Sequence, residues 1–303
     1  MSEYNALFSE KYLKEKLSLE TLVVPDIDDR LAALRGWVKE VETRSIYSKK
    51  EEQLQSDFLN DVFGKVLGYA YERGLGEYNL EKEEKSQTDG TKPDGVLGYL
   101  TSDETKNDIR VVIELKDAFT NLDHRQNRKN DSRTPVEQAF SYVSKSGGNC
   151  KWVIVSNFVE IRVYPSNDSS AYQKFMVKDL AKPDVLKTFY ALLAKDRLFV
   201  PKGESIIDEL LKNKIDADAK ITKRFYEDYK RCRSSLFDHI KENNPDIDDN
   251  LVLTKSQKIL DRIIFICFCE DIGLLPYKIF RTIIEEAKNV RFDTSDTKLW
   301  ERL

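Results

Sequence analysis

The sequence predicts an α/β fold followed by an all-helical unit, and three observations carry that expectation. IRVVIELK, residues 109–116, reads as a buried strand because β-branched residues fill the positions leading up to Glu114 and Lys116. Amphipathic helical patterns stand on either side of it, at 48–68 and from Thr134 to Gly147. From about Lys178 onward strand signals nearly vanish while helical patterns follow one another. A chain of 303 residues has room for two domains of roughly 150 residues each, and the change of pattern places the boundary near 200, giving units 1–200 and 201–303.

The first 45 residues show a short helical pattern around Tyr12, Leu13 and Leu17, a strand-like TLVVP, and a second helical pattern from Asp29 to Val41. Ser48 and Glu51 then stand at capping-box spacing ahead of apolar residues at Leu54, Phe58, Val62 and Val66, a strong helix stopped near Gly68. Residues 69–100 turn extended, with the turn-rich DGTKPDG just before the strand-like VLGYL. A polar segment at 117–133 separates IRVVIELK from a helix whose start is marked by Thr134, Pro135 and Glu137 and whose end by Gly147 and Gly148. KWVIVSN and EIRVYP follow as two strands joined by a tight turn, so the order is α-β-β-α-β with a hairpin partner. Helices are expected at 183–195, 204–213, 218–242, 255–272 and 276–288. QKILDRIIFICFCEDIGLLP, apolar around most of its circumference, is expected to be the central helix of the second unit, ended by Gly273 and Pro276. TKLWERL reads as helical with no stop signal, which suggests a fragment of a longer protein.

Lys plus Arg (49) against Asp plus Glu (53) leaves 49 − 53 = −4, with 34% charged and 40% hydrophobic residues, which excludes a disordered tail. No run approaches the roughly 20 apolar residues of a membrane span, and the N-terminus lacks an apolar secretory core, so a cytoplasmic location is expected. Cys150, Cys232, Cys267 and Cys269 are too few and too uneven for a disulfide framework; the last two lie on an apolar helix, where thiols behave as small hydrophobes. His124 and His239, with no CxxC pair, leave little material for zinc, so any metal should sit on oxygen. A net charge of −4 attracts no nucleic acid globally; such a partner would need a local basic patch.

ExK recurs at Glu83, Glu104, Glu114 and Glu286, but only Glu114-Leu115-Lys116 ends a buried strand, where residues two apart share a face. A carboxylate and an ammonium on one buried face are expensive unless they meet a metal, each other or a substrate. Pro-Asp recurs likewise, ending at Asp26, Asp94, Asp184 and Asp246, and Asp94 alone precedes a strand able to pair with IRVVIELK. That hairpin would bring Asp94 back beside Glu114. Asp94 and Glu114 offer the hard oxygen ligands Mg²⁺ prefers, with the Leu115 carbonyl a further ligand, and such an ion acidifies water and neutralises a phosphate oxygen. Lys116 could orient that water, help to deprotonate it, or stabilise charge on phosphorus. The reaction class expected is phosphodiester hydrolysis.

Gln138 and Tyr142 share one helical face, where Gln138 could hydrogen-bond the attacking water or a DNA phosphate and Tyr142 could buttress it. On the first helix of the pattern Glu52 or Gln53 could reach the metal side, with Asp57 and Asp61 competing, and Glu52 ranks first. The basic loop His124, Arg125, Arg128, Lys129 and Arg133 reads equally as a solvated loop or as a phosphate clamp. Lys220, Lys223, Arg224, Lys230, Arg231 and Arg233 read as the wet face of a helix.

KPDG, then IELK, then EQAFSY resembles the PD-(D/E)xK nuclease superfamily, with Gln138 and Tyr142 matching its QxxxY variant. QKILDRIIFICFCEDIGLLP is similar to the helical connector of Type IIG restriction-modification enzymes, single chains that join a nuclease to an adenine-specific DNA methyltransferase. The resemblance covers about residues 48–303. It implies a restriction-endonuclease-like mixed sheet flanked by helices and Mg²⁺- (or Mn²⁺-) dependent cleavage of double-stranded DNA, and leaves open whether two copies meet in a transient dimer to cut both strands. The chain has no NPPY-like motif and no glycine-rich cofactor loop, so methylation, target recognition and S-adenosylmethionine are expected only beyond Leu303. Two other readings stand beside this one: the nuclease part of an ATP-driven restriction subunit, and a non-catalytic DNA or protein interaction module whose Asp94, Glu114 and Lys116 form a structural ion-pair cluster.

Overall fold

The structure, a computed structural model, describes residues 4–71, 77–82, 92–126, 132–200 and 202–289. Three helices come first, α1 (Glu10–Leu17), α2 (Ile27–Glu42) and α3 (Glu51–Phe58), the last continuing as a π-helix over Leu59–Val66. Strands β1 (Tyr78–Lys82), β2 (Gly95–Leu100) and β3 (Asp108–Leu115) lead to α4 (Pro135–Val143), and then to β4 (Trp152–Ser156), β5 (Glu160–Pro165) and β6 (Gln173–Met176). Helices α5 (Pro183–Leu193), α6 (Lys195–Leu198), α7 (Ile206–Asn243), α8 (Asp249–Asp271) and α9 (Ile279–Asn289) complete the described chain. The fold is α/β.

The six strands form one sheet in the order β1-β2-β3-β4-β5-β6. Every neighbouring pair is antiparallel except β3 and β4, which run parallel with α4 between them in sequence, so the sheet is mixed. Where β2 meets β3 the register slips between Leu97 and Gly98. A Cβ at Gly98 would lie 2.3 Å from the Asp108 carbonyl oxygen, so the bulge needs glycine for close backbone approach.

Alternation along the strands sorts the two faces. Val111, Ile113, Leu115, Ile154, Ile161, Val163 and Phe175 join the larger core with the apolar residues of α1, α2, α3 and α5. Val112, Val153, Val155 and Tyr164 pack on the opposite face with Ala139 and Tyr142 of α4. The register aligns Glu114 with Val155, Arg162 and Lys174, so the strand-end carboxylate and a buried arginine stand in one row on the α4 face.

Several expectations change. TLVVP forms no strand: it connects α1 to α2, with Val23 exposed and Val24 buried, and Arg30 Nε donates to the Pro25 carbonyl at 2.6 Å. Ser48 closes a short 3-10 turn, its hydroxyl donating to the Ser45 carbonyl at 2.7 Å. The helix it was expected to cap starts at Glu51, where the Lys50 N–H donates to Gln53 Oε1 at 2.9 Å. The segments 204–213 and 218–242 are one helix, α7, since no glycine or proline interrupts them. β6 is a short four-residue edge strand that the sequence pattern did not reveal.

The chain divides into units Met1–Lys212 and Asn213–Leu303, a boundary later than 200. The first turns of α7 belong to the first unit: Ile207 and Leu210 are buried, Asp208 accepts from Trp152 Nε1 at 2.9 Å and pairs with Lys151 at 3.0 Å, and the Tyr12 hydroxyl donates to the Leu210 carbonyl at 3.1 Å. Within the second unit Asp248 caps α8 by accepting from the Leu251 N–H at 3.1 Å, and Gly273, at φ +76°, ends it. The expected burial of α8 is not found: Val252, Ser256 and Cys269 are buried, but Phe265 and Phe268 are 65% and 56% exposed. TKLWERL lies outside the described residues. Among the described residues all four cysteines are free thiols, and no helix is long and apolar enough to cross a membrane.

Candidate functional site

β3 delivers Glu114 at its end and Lys116 just beyond it, on the α4 face of the sheet. The Lys116 N–H donates to the Ser156 carbonyl at 2.8 Å, which carries the parallel pairing with β4 one residue past the strand and holds Lys116 in line. Asp94 returns on the antiparallel partner β2, immediately before Gly95, and its Oδ2 accepts the Leu115 N–H at 2.8 Å. Lys116 Nζ donates to Glu114 Oε1 and, at 3.2 Å, to the Leu115 carbonyl. Asp94, Glu114, Leu115 and Lys116 are thereby brought together.

Burial makes this grouping costly. Glu114 is 1% exposed and Lys116 3%, and Glu114 Oε2 is buried with no hydrogen-bond partner. Burial chiefly, then the Asp94 charge, pushes the Glu114 carboxyl up to about 8; Lys116 partly offsets this and Glu51 adds to it. Displaced titrations on incompletely satisfied buried acids cluster at ligand-binding and catalytic sites and also occur in structural ion-pair networks.

α3 begins beside the site and carries two acids in its first turn, Glu51 and Glu52. Glu52 is exposed to solvent, whereas half-buried Glu51 acts on Glu114 through its charge. Asp117, the residue after Lys116, accepts the Glu51 N–H on Oδ1 at 2.6 Å and ties the first turn of α3 to the end of β3. From the sequence Glu51 was read only as a capping acid and Asp117 was not singled out; an aspartate directly after the strand-end lysine was the available signal.

α4 starts where its sequence predicts, with Thr134 Oγ1 accepting the Glu137 N–H at 3.0 Å and Glu137 Oε2 accepting the Thr134 N–H at 2.7 Å. One turn on, Gln138 Nε2 donates to the Tyr142 hydroxyl at 2.9 Å, and both side chains are buried. Burial first, then the Glu114 charge, holds the Tyr142 phenol up at about 12, with Asp94 adding to the shift and Gln138 and Arg133 opposing it. Gln138 Oε1 accepts from Gln126 Nε2 at 2.9 Å, so the Gln138 amide is engaged at both ends, an arrangement the sequence reading did not include.

The described stretch that follows Lys116, residues 117–126, is tied down at two points. Asn157 Nδ2 donates to the Thr120 carbonyl at 3.0 Å, and Arg162 forms a two-pronged pair with Asp123 at 2.8 and 3.1 Å. Arg133 is half-buried, donates to Ser141 Oγ at 2.7 Å and acts on Tyr142, so it lies at the site; Arg125 is exposed. Arg128 and Lys129 lie outside the described residues. A cleft of about 560 Å³, lined by Lys92, Pro93, Val96, Asn107, Tyr142 and Lys145 among others, opens beside Asp94 on the α4 face.

Among the described residues no group of three or more His, Cys, Asp or Glu side chains converges as a metal cage; what converges here is a pair of carboxylates with a main-chain carbonyl between them and a lysine. Searches against models of protein families, curated proteins and solved structures give no match to this chain.

Proposed function

We propose that the α/β unit is a Mg²⁺-dependent endonuclease of the PD-(D/E)xK kind that hydrolyses phosphodiester bonds of double-stranded DNA, as the nuclease part of a restriction-modification enzyme. One observation carries the reading: Asp94, Glu114 and Lys116 meet at a buried strand end with a Glu114 oxygen left unpartnered. The mixed sheet with α4 packed over β3 and β4 is the arrangement the sequence resemblance implies.

A hard divalent cation fits this donor set, because positive charge relieves the repulsion that Asp94 exerts on the buried Glu114 carboxyl and the unpartnered Glu114 oxygen gains a ligand. Asp94, Glu114 and the Leu115 carbonyl would hold it. When bound, Mg²⁺ supplies the charge that acidifies water and neutralises a phosphate oxygen. Lys116 presents its ammonium to the same point, where it can orient the attacking water or offset charge developing on phosphorus. Gln138 is occupied by Gln126 and Tyr142, which makes Tyr142 the group of that pair with a proton to offer. Arg133, beside Tyr142, is placed to meet a neighbouring phosphate, and the cleft next to Asp94 gives the strand room to lie.

The test compares the full-length protein with Lys116→Ala and Lys116→Met on duplex DNA in Mg²⁺, folding being checked by circular dichroism. The methionine keeps the buried stem and removes only the charge. Cleavage by the parent and a loss of about 10² or more in both variants is expected. Equal cleavage by parent and variants would overturn the mechanism, and DNA binding without cleavage by the parent would favour the interaction-module reading.

A further inference from the structure

Gln126 was no part of the site as read from the sequence, yet its geometry controls the Gln138–Tyr142 pair. Its backbone N–H donates to the Arg133 carbonyl at 3.1 Å, and its side-chain Nε2 reaches the same carbonyl at 3.4 Å and Gln138 Oε1 at 2.9 Å. Gln138 Nε2 then donates to the Tyr142 hydroxyl at 2.9 Å. The direction of this chain follows from its first member. A main-chain carbonyl can only accept, so the Gln126 group facing it must be the NH₂. That NH₂ also faces Gln138, which must therefore turn its oxygen toward Gln126 and its own NH₂ toward Tyr142. The Tyr142 oxygen accepts, and its proton stays available for a different partner.

We propose that Gln126 is a positioning residue: anchored on the Arg133 carbonyl, it fixes the direction of the Gln126–Gln138–Tyr142 chain so that the Tyr142 hydroxyl donates its proton toward the Asp94–Glu114 site, to an oxygen of the substrate phosphate. The charges of Glu114 and Asp94 both reach Tyr142, and its phenol keeps its proton across the neutral range. The hydroxyl is then a donor aimed at a place where negative charge accumulates. Reversing the chain would turn Tyr142 Oη–H back onto Gln138 and remove that donor. Gln126 also joins the basic segment to the site, because the carbonyl it grips belongs to Arg133, whose guanidinium acts on Tyr142.

The use of the proton rests on the nuclease reading; the direction of the chain does not, so two measurements separate them. The first follows the side-chain amide resonances of Gln138 in glutamine-¹⁵N-labelled full-length protein. Gln126→Leu removes the anchor, and Gln126→Glu replaces a donor with an acceptor-only group that favours the reversed chain. Both are expected to shift the Gln138 NH₂ pair and alter its exchange with water; a Gln138 pair coincident with the parent's in both folded variants would overturn the proposal.

The second measurement is a double-mutant cycle on Mg²⁺-dependent cleavage. Gln126→Leu and Tyr142→Phe are each expected to lower kcat about tenfold with little change in KM, and the double variant to lose about as much as either alone. Losses that multiply, or that fall on KM alone, would show that Gln126 does not act through Tyr142. Should the parent cut no DNA, the nuclease reading fails and the Gln138 resonances alone decide the role of Gln126.

Discussion

With one oxygen unpartnered and Asp94 beside it, Glu114 keeps its proton up to about 8 in the folded chain, against an ordinary 4.5. Between those values the folded protein holds a proton that the unfolded chain has released, so this group's contribution to stability falls as pH rises through the window. The urea midpoint of Glu114→Gln minus that of the parent should therefore grow from pH 5 to pH 8; a flat difference would refute the raised titration. The same proton competes with a cation for the carboxylate. Mg²⁺ should raise the melting temperature of the parent more at pH 8.5 than at pH 6 and leave that of Glu114→Gln nearly unmoved. A Mg²⁺ shift of equal size at both pH values would detach the metal from Glu114.

α4 carries Gln138 and Tyr142 on one face, and its start is set by reciprocal bonds between Thr134 and Glu137. Thr134→Ala leaves the Glu137 N–H without its cap and should cost about 1 kcal/mol in urea unfolding. An unchanged midpoint would mean that packing on the sheet, not the cap, determines the first turn. α3 is tied to an acid from elsewhere in the chain: Asp117 accepts the Glu51 N–H, so the residue after the strand-end lysine also holds the helix that adds a second carboxylate, after Asp94, to the field at Glu114. In α8 the apolar circumference does not translate into burial, since Phe265 and Phe268 are open to solvent while Val252 and Cys269 are covered.

At the scale of the whole molecule the first unit needs the beginning of α7. Ile207 and Leu210 are buried in it, and Asp208 satisfies the Trp152 indole N–H. A fragment ending at 212 should therefore be more stable than one ending at 200, by roughly 3 kcal/mol or more from the two aliphatic side chains alone. Equal urea midpoints for the two fragments would place the boundary back at 200. With a net charge of −4, the proposed nuclease activity requires that attraction for DNA come from local cations such as Arg133 and not from the chain as a whole.

What the sequence determined by itself were the features whose physics is local. β-branched residues set β3, Thr134, Pro135 and Glu137 set the start of α4, and two-residue periodicity placed Glu114 and Lys116 on one face with Leu115 on the other. Because an antiparallel partner must return alongside, Asp94 could also be placed from its position before β2. Tertiary structure alone showed that the Glu51 charge acts on Glu114 and that Asp117, 66 residues away in sequence, holds the Glu51 N–H. It alone revealed Gln126, whose role depends on its contacts with the Arg133 carbonyl and with Gln138 of α4. It also set the end of the first unit at Lys212 and left α8 largely uncovered, because helical periodicity records which side of a helix is apolar but not what packs against it.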